Sequence, residues 1–356
     1  MSLERIINSC RAGIRLEVDD ARELFLNAPM WLLSQLALDR KRGVSGDKIF
    51  YNRNFHIEPT NICVIGCKFC SYRRDEGSDE AWSYSIEQMA HIAQRYVGSN
   101  VSEVHIVGGV HPDRDIHFYA ELIATVKSIL PTVAIKAFTA VELNKMISNA
   151  GMTIREGLQL LQQAGMEAIP GGGAEIFAPH IRGQICPQKG SAEEWLALHE
   201  EAHKLGISTN ATILYGHIES LEDRLDHLDR LRKQQDKSGG FNAFIPLKYR
   251  SAGNELSVER EVSVVADLRM IAISRLFLDN IPHIKAYWVM YGKVTTELAL
   301  LYGADDVDGT VDDTTKIYSM AGAEDQRPRI TVEEIERMAQ NTGFIAVERD
   351  THYKIV

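Results

Sequence analysis

Three closely spaced cysteines constrain this chain of 356 residues more than any other feature of its sequence. Cys63, Cys67 and Cys70 stand in the pattern C-x3-C-x2-C, with the aromatic Phe69 directly before the third cysteine. Cysteine thiolates are the usual ligands of iron–sulfur clusters. Three thiolates on one short loop can bind three irons of a [4Fe–4S] cluster, which leaves the fourth iron without a protein ligand. An open coordination position is typical of metal sites that carry out chemistry.

Two other interpretations of these cysteines are weaker. A structural zinc site needs four ligands, usually as two pairs, and neither Cys10 nor Cys186 supplies a second pair. His56 is near in sequence, but its spacing from Cys63 matches no common zinc finger. A disulfide framework is disfavoured because the count of five cysteines is odd and three of them are crowded together.

Composition argues against two classes of partner. The net charge of −10 is the wrong sign for a chain whose main partner is nucleic acid. The sequence has no apolar run of membrane-spanning length, and its first residues lack the apolar core of a signal peptide. We therefore expect a chain of the reducing cytoplasm, where an oxygen-sensitive cluster is stable, with neither nucleic acid nor a membrane as a partner.

The apolar residues alternate between the periods of strand and helix along most of the chain. Capping boxes at Thr153 and Ser191 mark the starts of two of the helices. Alternation of this kind predicts a parallel sheet, and the length suits an eight-stranded (β/α)8 barrel of the TIM type. An eighth strand is expected near Leu300 to Val307. The seven clearer strand-like runs begin at residues 55, 101, 133, 167, 207, 241 and 284.

The two ends of the chain are expected to be additions to this barrel. Residues 1–45, in which Ala21 to Leu38 have an amphipathic pattern, predict a helical extension before the first strand. Residues 46–330 would form the barrel. Residues 331–356 predict a last helix and a short strand that pack on its outside.

A barrel carries its functional side chains at the carboxyl ends of its strands. Gly108 and Gly109 follow the second predicted strand, where glycines let the backbone approach a ligand closely. Glu175 follows a triple glycine after the fourth strand. A carboxylate at this point can accept hydrogen bonds from the two hydroxyls of a ribose. It can also be an ordinary glutamate at the start of a helix.

Cations near the strand ends suggest an anionic substrate. Lys136 lies within an apolar strand, so its ammonium group must reach the polar mouth of the barrel or pair with a carboxylate. Lys248 and Arg250 follow the sixth strand, and arginine binds carboxylates through two hydrogen bonds. The alternative for both residues is a solvated surface position.

The run His199-Glu-Glu-Ala-His203 matches the H-E-x-x-H pattern of zinc proteases. Its helix lies between the fourth and fifth strands, however, and would pack on the outside of a barrel. We expect His199 and His203 to be ordinary, partly exposed residues, and a zinc hydrolase is only a remote alternative.

Together with the cysteine loop, five further runs make the sequence resemble the aminodeoxyfutalosine synthase family of radical S-adenosylmethionine (SAM) enzymes, over about residues 45–300. Two related families share the cysteine loop and the Pro-Gly-Gly-Gly-Ala-Glu run: the dehypoxanthine futalosine cyclases and a deazaflavin cofactor synthase. The segments 136–140 and 177–187 favour the first family. The five runs are His56–Cys63, Ile106–Asp113, Ile135–Glu142, Pro170–Pro179 and Thr209–Glu219.

The resemblance implies radical chemistry in menaquinone biosynthesis. A low-potential donor such as flavodoxin or ferredoxin would reduce a [4Fe–4S] cluster, and the cluster would cleave SAM to methionine and a 5′-deoxyadenosyl radical. In that family the radical adds to the enolpyruvyl group of 3-[(1-carboxyvinyl)oxy]benzoate. Rearrangement and decarboxylation give 6-amino-6-deoxyfutalosine, so SAM is a co-substrate. A cyclase, or another enzyme that abstracts hydrogen, is the alternative.

The resemblance also implies roles for individual residues. The three cysteines would bind the cluster, and Gly108 and Gly109 would lie beside the methionine amino group. A base for the decarboxylation is expected among His56, Glu58 and His217. Phe69 would pack near the adenine and Glu175 near the ribose. The other predicted SAM contacts are Arg182 and Tyr215, and the predicted contacts to the substrate carboxylates are Arg73, Lys136, Lys248 and Arg250.

Overall fold

The structure is a computed structural model that describes residues 3–310, 316–322 and 328–356. Within these ranges the chain forms ten strands and fifteen helices. The strands are β1 (Lys48–Asn52), β2 (Asn54–Ile57), β3 (Glu103–Ile106), β4 (Ala134–Ala137), β5 (Met166–Ile169), β6 (Ser208–Tyr215), β7 (Phe241–Lys248), β8 (His283–Ile284), β9 (Asp306–Gly309) and β10 (Ile345–Glu348).

The helices lie mostly between consecutive strands, as a parallel sheet requires. They are α1 (Leu3–Arg11), α2 (Val18–Asn27), α3 (Met30–Ser45), α4 (Ile86–Gln94), α5 (Ile116–Ile129), α6 (Ala140–Asn149), α7 (Ile154–Ala164), α8 (Pro179–Ile185), α9 (Ala192–Lys204), α10 (Leu221–Ser238), α11 (Val264–Phe277), α12 (Trp288–Tyr291), α13 (Lys293–Leu300), α14 (Ile317–Met320) and α15 (Val332–Asn341).

The strands β2 to β8 form one parallel sheet in chain order, and β1 pairs with β9 and β10 in a second, smaller sheet. The two sheets meet at both ends. A parallel bridge joins Lys285, just after β8, to Asp306 in β9, and β1 continues through Arg53 into β2. The strands therefore return to their starting point, and the predicted α/β barrel is confirmed.

The alternation of side chains along these strands separates a polar interior from an apolar outer layer. Phe55, Val104 and Ile135 occupy neighbouring register positions and are fully buried beneath the helices. The Phe55 ring stacks on Tyr96, which follows α4, at a centroid distance of 3.8 Å. Since successive side chains of a strand point to opposite faces, the next position of each strand points into the barrel. Those positions are His56, His105 and Lys136.

The eighth strand of the barrel lies later than the sequence pattern predicts. The expected span Leu300 to Val307 begins at the end of α13, and the strand itself is β9. Its residues Asp306 and Asp308 are charged, and they pair with Arg349 after β10 and with Lys285 after β8. An apolar period could not mark a strand that carries these two aspartates.

The helix starts predicted at Thr153 and Ser191 are confirmed. Each hydroxyl accepts a hydrogen bond from the backbone of the glutamate three residues later, and that glutamate binds back to the cap. At the other end of α7, Gly165 adopts a φ of 119°, which glycine tolerates better than other residues.

Helices α2 and α3 pack on the barrel helix α11, and α1 packs on α2 and α3. Arg269 of α11 donates to the carbonyl oxygens of Leu24 and Ala28 at 3.0 and 2.8 Å. At the other end of the chain, β10 pairs with β1. The domain limits at residues 45 and 330 stay a prediction. Within the described ranges, no helix is both long and apolar enough to cross a membrane.

Candidate active site

The barrel encloses a cavity of about 290 Å³ that opens at the carboxyl ends of the strands. The three cysteines of the C-x3-C-x2-C loop lie at one end of its lining, and a group of charged side chains lies at the other. The predicted site residues that line it are Cys63, Cys67, Cys70, Phe69, Arg73, Gly108, Gly109, Lys136 and Glu175.

The cysteine loop is held from several sides by backbone contacts. The Val110 N–H points at the Cys63 Sγ at 3.3 Å, and the Val64 N–H donates to the Val110 carbonyl oxygen at 3.0 Å. On the opposite flank, the Lys68 N–H donates to the carbonyl oxygen of Ile185 at the end of α8. The loop conformation is thus fixed by the segment after β3 and by the end of α8.

Gly108 and Gly109 line the cavity, but the cysteine loop alone explains why both are glycines. A Cβ atom added at Gly109 would lie 2.3 Å from the carbonyl oxygen of Ile62, and one at Gly108 would lie 2.8 Å from that of Thr60. The Gly109 N–H also donates to the Thr60 carbonyl oxygen at 2.7 Å. The close approach of the two backbones leaves no room for a side chain at either position.

The donor set suits a cluster rather than a single ion. All three thiols are partly exposed to the cavity. No group of three His, Cys, Asp or Glu side chains surrounds one ion position in the parts of the chain that the structure covers. Thiolates that each bind a different iron need not converge on one point, whereas zinc ligands must. Burial raises the pKa of Cys67 to about 12. The nearby Lys189 ammonium group opposes this rise, because its positive charge favours the thiolate.

Glu175 lines the cavity with its backbone in the left-handed region, at a φ of 49°. Its carboxylate forms an ion pair with Lys189, whose ammonium group lies 5.0 Å from the centroid of the Phe69 ring. Lys189 was missed by the sequence analysis because it belongs to the turn after α8, outside any recognisable motif. The pair places a carboxylate and an ammonium group beside the cysteines.

Arg182 lies outside the cavity, contrary to its expected contact with the SAM carboxylate. The guanidinium group is buried and donates to the carbonyl oxygens of Ala174, Ile176 and Gly190 at 2.6 to 3.2 Å. It therefore shapes the loop that carries Glu175, and we do not assign it to SAM.

Tyr215 and Lys248 also lie outside the cavity lining, and both side chains bind the carboxylate of Asp267. The Tyr215 hydroxyl donates to Asp267 Oδ1 at 2.6 Å, and the Lys248 ammonium group donates to Asp267 Oδ2 at 3.2 Å. Tyr291 contacts the Tyr215 hydroxyl at 3.1 Å. The two residues link β6 and β7 to α11, and we assign neither one to SAM or the substrate.

Glu58 and Arg250 hold the backbone of one segment, residues 316–322. The Glu58 carboxylate accepts the N–H groups of Lys316 and Ile317 at 3.1 to 3.2 Å, at the start of α14. Arg250 donates to the Gly322 carbonyl oxygen at 2.8 Å, beyond its end. Ile317 itself lines the cavity. The predicted base and the predicted substrate cation therefore both bind the backbone of a segment that contributes Ile317 to the cavity lining.

The two histidines predicted as bases do not line the cavity. His56 is buried inside the barrel with its ring centroid 4.8 Å from that of His105, and burial lowers its pKa to about 4. His217 is engaged at both ring nitrogens. Its Nδ1 accepts the Ile218 N–H at 2.7 Å, and its Nε2 lies 3.1 Å from the Leu214 carbonyl oxygen.

The far end of the cavity is a network of buried charges. Lys136 donates to Glu103 at 2.6 Å, and Lys285 forms an ion pair with Asp308. The sequence predicts that Lys136 pairs with a carboxylate or reaches the mouth of the barrel, and the structure shows the pairing. Glu103, Lys285 and Asp308 were not predicted, because they belong to three different strand regions.

Glu142 is a further cavity residue that the sequence analysis missed. It accepts the Gly108 N–H at 3.0 Å and the Thr139 N–H and hydroxyl at 2.7 Å. Burial raises the pKa of Glu142 to about 7, although these hydrogen bonds oppose the shift. The capping pattern Thr139-x-x-Glu142 was the only signal, and it does not reveal that the carboxylate faces the cavity.

The protease-like histidines lie on α9, outside the barrel. His203 contacts Ser238 and Thr209 through its two ring nitrogens at 2.7 and 2.9 Å. His199 is completely buried against Trp195, so the expectation that it is partly exposed is wrong. The apolar environment of its helix face is the reason, and among the described residues no third side chain joins this pair in a possible metal site.

Two family models match the chain and cover most of it between them. Residues 57–231 match the radical SAM superfamily, and residues 238–356 match the CofH/MqnC C-terminal region.

Curated relatives agree with these matches. An aminodeoxyfutalosine synthase of Thermus thermophilus is 41% identical and covers 97% of this chain and 93% of its own. One of Streptomyces coelicolor is 37% identical, with 97% and 92% covered. A cyclic dehypoxanthine futalosine synthase of Streptomyces coelicolor is 33% identical, with 99% and 88% covered.

Among solved structures, the crystal structure of methylornithine synthase superposes with a TM-score of 0.76. It is 17% identical in sequence, and the match covers 96% of this chain and 97% of the other. At this identity the similarity concerns the fold alone.

Proposed function

The chain belongs to the radical SAM enzymes, in the group that contains the aminodeoxyfutalosine synthases, and we propose that it joins the 5′-deoxyadenosyl group of SAM to 3-[(1-carboxyvinyl)oxy]benzoate. The product would be 6-amino-6-deoxyfutalosine, an intermediate of menaquinone biosynthesis. The observation that carries the proposal is a single cavity with three cysteines at one end and buried lysines at the other. Such a cavity suits an anionic substrate beside a SAM-cleaving centre.

Cys63, Cys67 and Cys70 would hold the [4Fe–4S] cluster of this enzyme class. When bound, the cluster supplies the electron that cleaves SAM, and a low-potential carrier such as flavodoxin or ferredoxin would supply it to the cluster. The pair Glu175 and Lys189 lies beside the cysteines, so it is placed to meet the polar groups of SAM. Phe69 offers a ring for the adenine.

The substrate must lie with its alkene against C5′ of the adenosyl group, which is chiefly a positioning task. Carbon C5′ would form a bond to the alkene CH2, and the aryl group would migrate from the ether oxygen to the neighbouring carbon as its bond to oxygen breaks. The enolpyruvyl carboxyl group would then leave as CO2, with the return of one electron, so that a closed-shell product results. Apolar side chains, including Val107, Ile245 and Leu247, line part of the cavity wall. They exclude water from a reactive intermediate.

Two of the four cations predicted for the substrate carboxylates remain candidates. Lys136 and Arg73 line the cavity, whereas Lys248 and Arg250 bind Asp267 and Gly322 instead. None of the three predicted bases lines the cavity, so we do not carry a general base into the proposal.

Product analysis tests the function directly. The reconstituted enzyme would be incubated without oxygen with SAM, dithionite and 3-[(1-carboxyvinyl)oxy]benzoate, and the products would be identified by mass spectrometry. We expect the adenosyl group to appear in 6-amino-6-deoxyfutalosine. Cys67→Ala should abolish this product because it removes a ligand of the cluster. Cys10→Ala is the matched control, since that cysteine lies on α1 far from the cavity.

The second candidate is a hydrogen-abstracting enzyme such as a cyclase, which the 33% identical relative favours. It predicts free 5′-deoxyadenosine in step with product, and dehypoxanthine futalosine as the substrate. Accumulation of 5′-deoxyadenosine alone, with no adenosyl adduct, would overturn the proposed reaction and leave the cluster and SAM assignments intact.

A further inference from the structure

We propose that Lys285, assisted by Lys136, binds the ring carboxylate of the substrate at the floor of the cavity. The floor is the set of polar residues at the end of the cavity away from the cysteines: Asn54, Glu103, His105, Lys136, Lys285 and Asp308. This inference rests on the proposed function, because the second carboxylate of that substrate is what the floor would recognise.

The floor lies well below the cysteine loop. Glu103 begins β3, and Gly108 follows the end of that strand beside the cysteines. Five residues of nearly extended chain separate the two levels by roughly 15 Å. Lys136 reaches down to Glu103, and Asn54 contacts Asp308 at 3.4 Å on the same level.

The other cations of the cavity belong to its cysteine end. Among the described residues that line it, the cations are Arg73, Lys136, Lys189 and Lys285. Arg73 donates to the Cys63 carbonyl oxygen at 3.1 Å, and Lys189 pairs with Glu175 beside Phe69. Lys136 and Lys285 remain for the end where the distal part of a substrate would lie.

Both floor lysines are almost completely withdrawn from solvent, with 6% and 1% of their surfaces exposed for Lys136 and Lys285. Each ammonium group has three N–H donors, and one carboxylate satisfies only part of that capacity. Lys285 binds Asp308 and lies 3.7 Å from Asp306. Buried donors of this kind are costly unless a ligand or a neighbour uses them.

Asp308 shows how a carboxylate fits against Lys285. It is the more exposed of the two acidic neighbours, with 13% of its side chain accessible against none for Asp306. Its backbone has a φ of 77°, which is strained for a residue other than glycine. Asp308 thus contacts the Lys285 ammonium group from the cavity side. A substrate carboxylate would bind that group either beside Asp308 or instead of it.

The orientation of the substrate follows from the position of the reacting bond. The alkene must meet C5′ near the cysteines, and the enolpyruvyl carboxylate is attached to the alkene itself. The ring carboxylate lies at the opposite end of the molecule. It is therefore the group that points toward the floor.

Binding measurements without reductant test the subsite, since no turnover then takes place. Anaerobic titration calorimetry on the holoenzyme with SAM would compare 3-[(1-carboxyvinyl)oxy]benzoate with 2-phenoxyprop-2-enoate, which lacks the ring carboxylate. We expect the wild-type enzyme to prefer the diacid by about 10- to 100-fold, the range of a charged hydrogen-bonded contact. The double variant Lys285→Met/Asp308→Asn removes both charges of the ion pair at once, and it should lose this preference.

Asp308→Asn alone should act in the opposite direction. It removes the internal competitor for Lys285 and a negative charge beside the incoming anion, so the diacid should bind more tightly, by about 3- to 10-fold. A purely structural role of the pair predicts weaker binding instead. This variant therefore decides the question even if the double variant fails to assemble its cluster.

Lys41→Met is the matched control, because Lys41 is equally buried but donates to the Gly46 carbonyl oxygen outside the barrel. It should keep the preference for the diacid. If the wild-type enzyme binds the diacid without any preference, or if the double variant retains that preference, the subsite is overturned and the proposed function stands. If the wild-type enzyme does not bind the diacid at all, the proposed function itself fails.

Discussion

At the scale of single residues, Gly109 shows how backbone packing dictates the cysteine loop. A Cβ at this position would lie 2.3 Å from a backbone oxygen that cannot move aside easily. We expect Gly109→Ala to destabilise the protein by about 1–3 kcal/mol, as overpacking does, and to reduce the iron bound per chain. Gly183→Ala is the control, since a Cβ there meets nothing within 4 Å. Equal iron content in the two variants would contradict this account of Gly109.

The sequence predicted residues whose role follows from a local pattern. The cysteines, Phe69 and Glu175 were predicted because a motif or a strand end marks them, and all of them line the cavity. Lys189 and Lys285 were missed because their roles depend on partners more than ten residues away in sequence, Glu175 and Asp308. A lysine or an arginine is recognised in the sequence from its charge. The direction in which its side chain points depends on contacts with distant segments, and the local apolar pattern does not encode those contacts.

At the scale of elements, the short helix α14 depends on charged side chains from distant strands. Burial raises the pKa of Glu58 to about 7 from its usual 4.5, while its bonds to the Lys316 and Ile317 N–H groups oppose the shift. A carboxyl with a raised folded-state pKa binds more protons in the folded state. Its contribution to stability is therefore lost as the pH rises from about 4.5 to about 7.

Glu58→Gln removes this titration. Relative to the wild type, the variant should gain stability between pH 4.5 and pH 7, by about 3 kcal/mol at most. Urea unfolding of both proteins at pH 4.5 and pH 8 would measure the difference. Glu76→Gln, at an exposed position, should give the same difference from the wild type at both pH values. A parallel response of the two variants would refute the assignment.

Elements with regular apolar periods were predictable, and those built on charge were not. The helix starts at Thr153 and Ser191 follow from their capping boxes. The sequence pattern placed the strand β9 too early, because Asp306 and Asp308 interrupt the apolar alternation by which a strand is recognised. Its stability comes from cations supplied by other elements, so only the assembled barrel explains it.

At the scale of the whole molecule, Arg349 links the C-terminal strand to the closure of the barrel. It follows β10 and donates through Nε and Nη2 to Asp306 of β9 at 3.0 and 2.8 Å, with both side chains fully buried. Its own N–H donates to the Tyr51 carbonyl oxygen in β1 at 2.9 Å. One residue thus connects the three strands β10, β1 and β9.

Arg349→Met should destabilise the protein by about 3–5 kcal/mol, because it leaves the Asp306 carboxylate buried without its main partner. The double variant Arg349→Met/Asp306→Leu removes both charges and should recover a large part of that loss, since an apolar pair of similar volume can replace a buried ion pair. Thermal unfolding followed by circular dichroism would compare them with Arg337→Met, which changes an exposed arginine of α15. If the single and double variants unfold at the same temperature, the cost lies in lost packing around Arg349, and the charge of Asp306 does not control how the barrel closes.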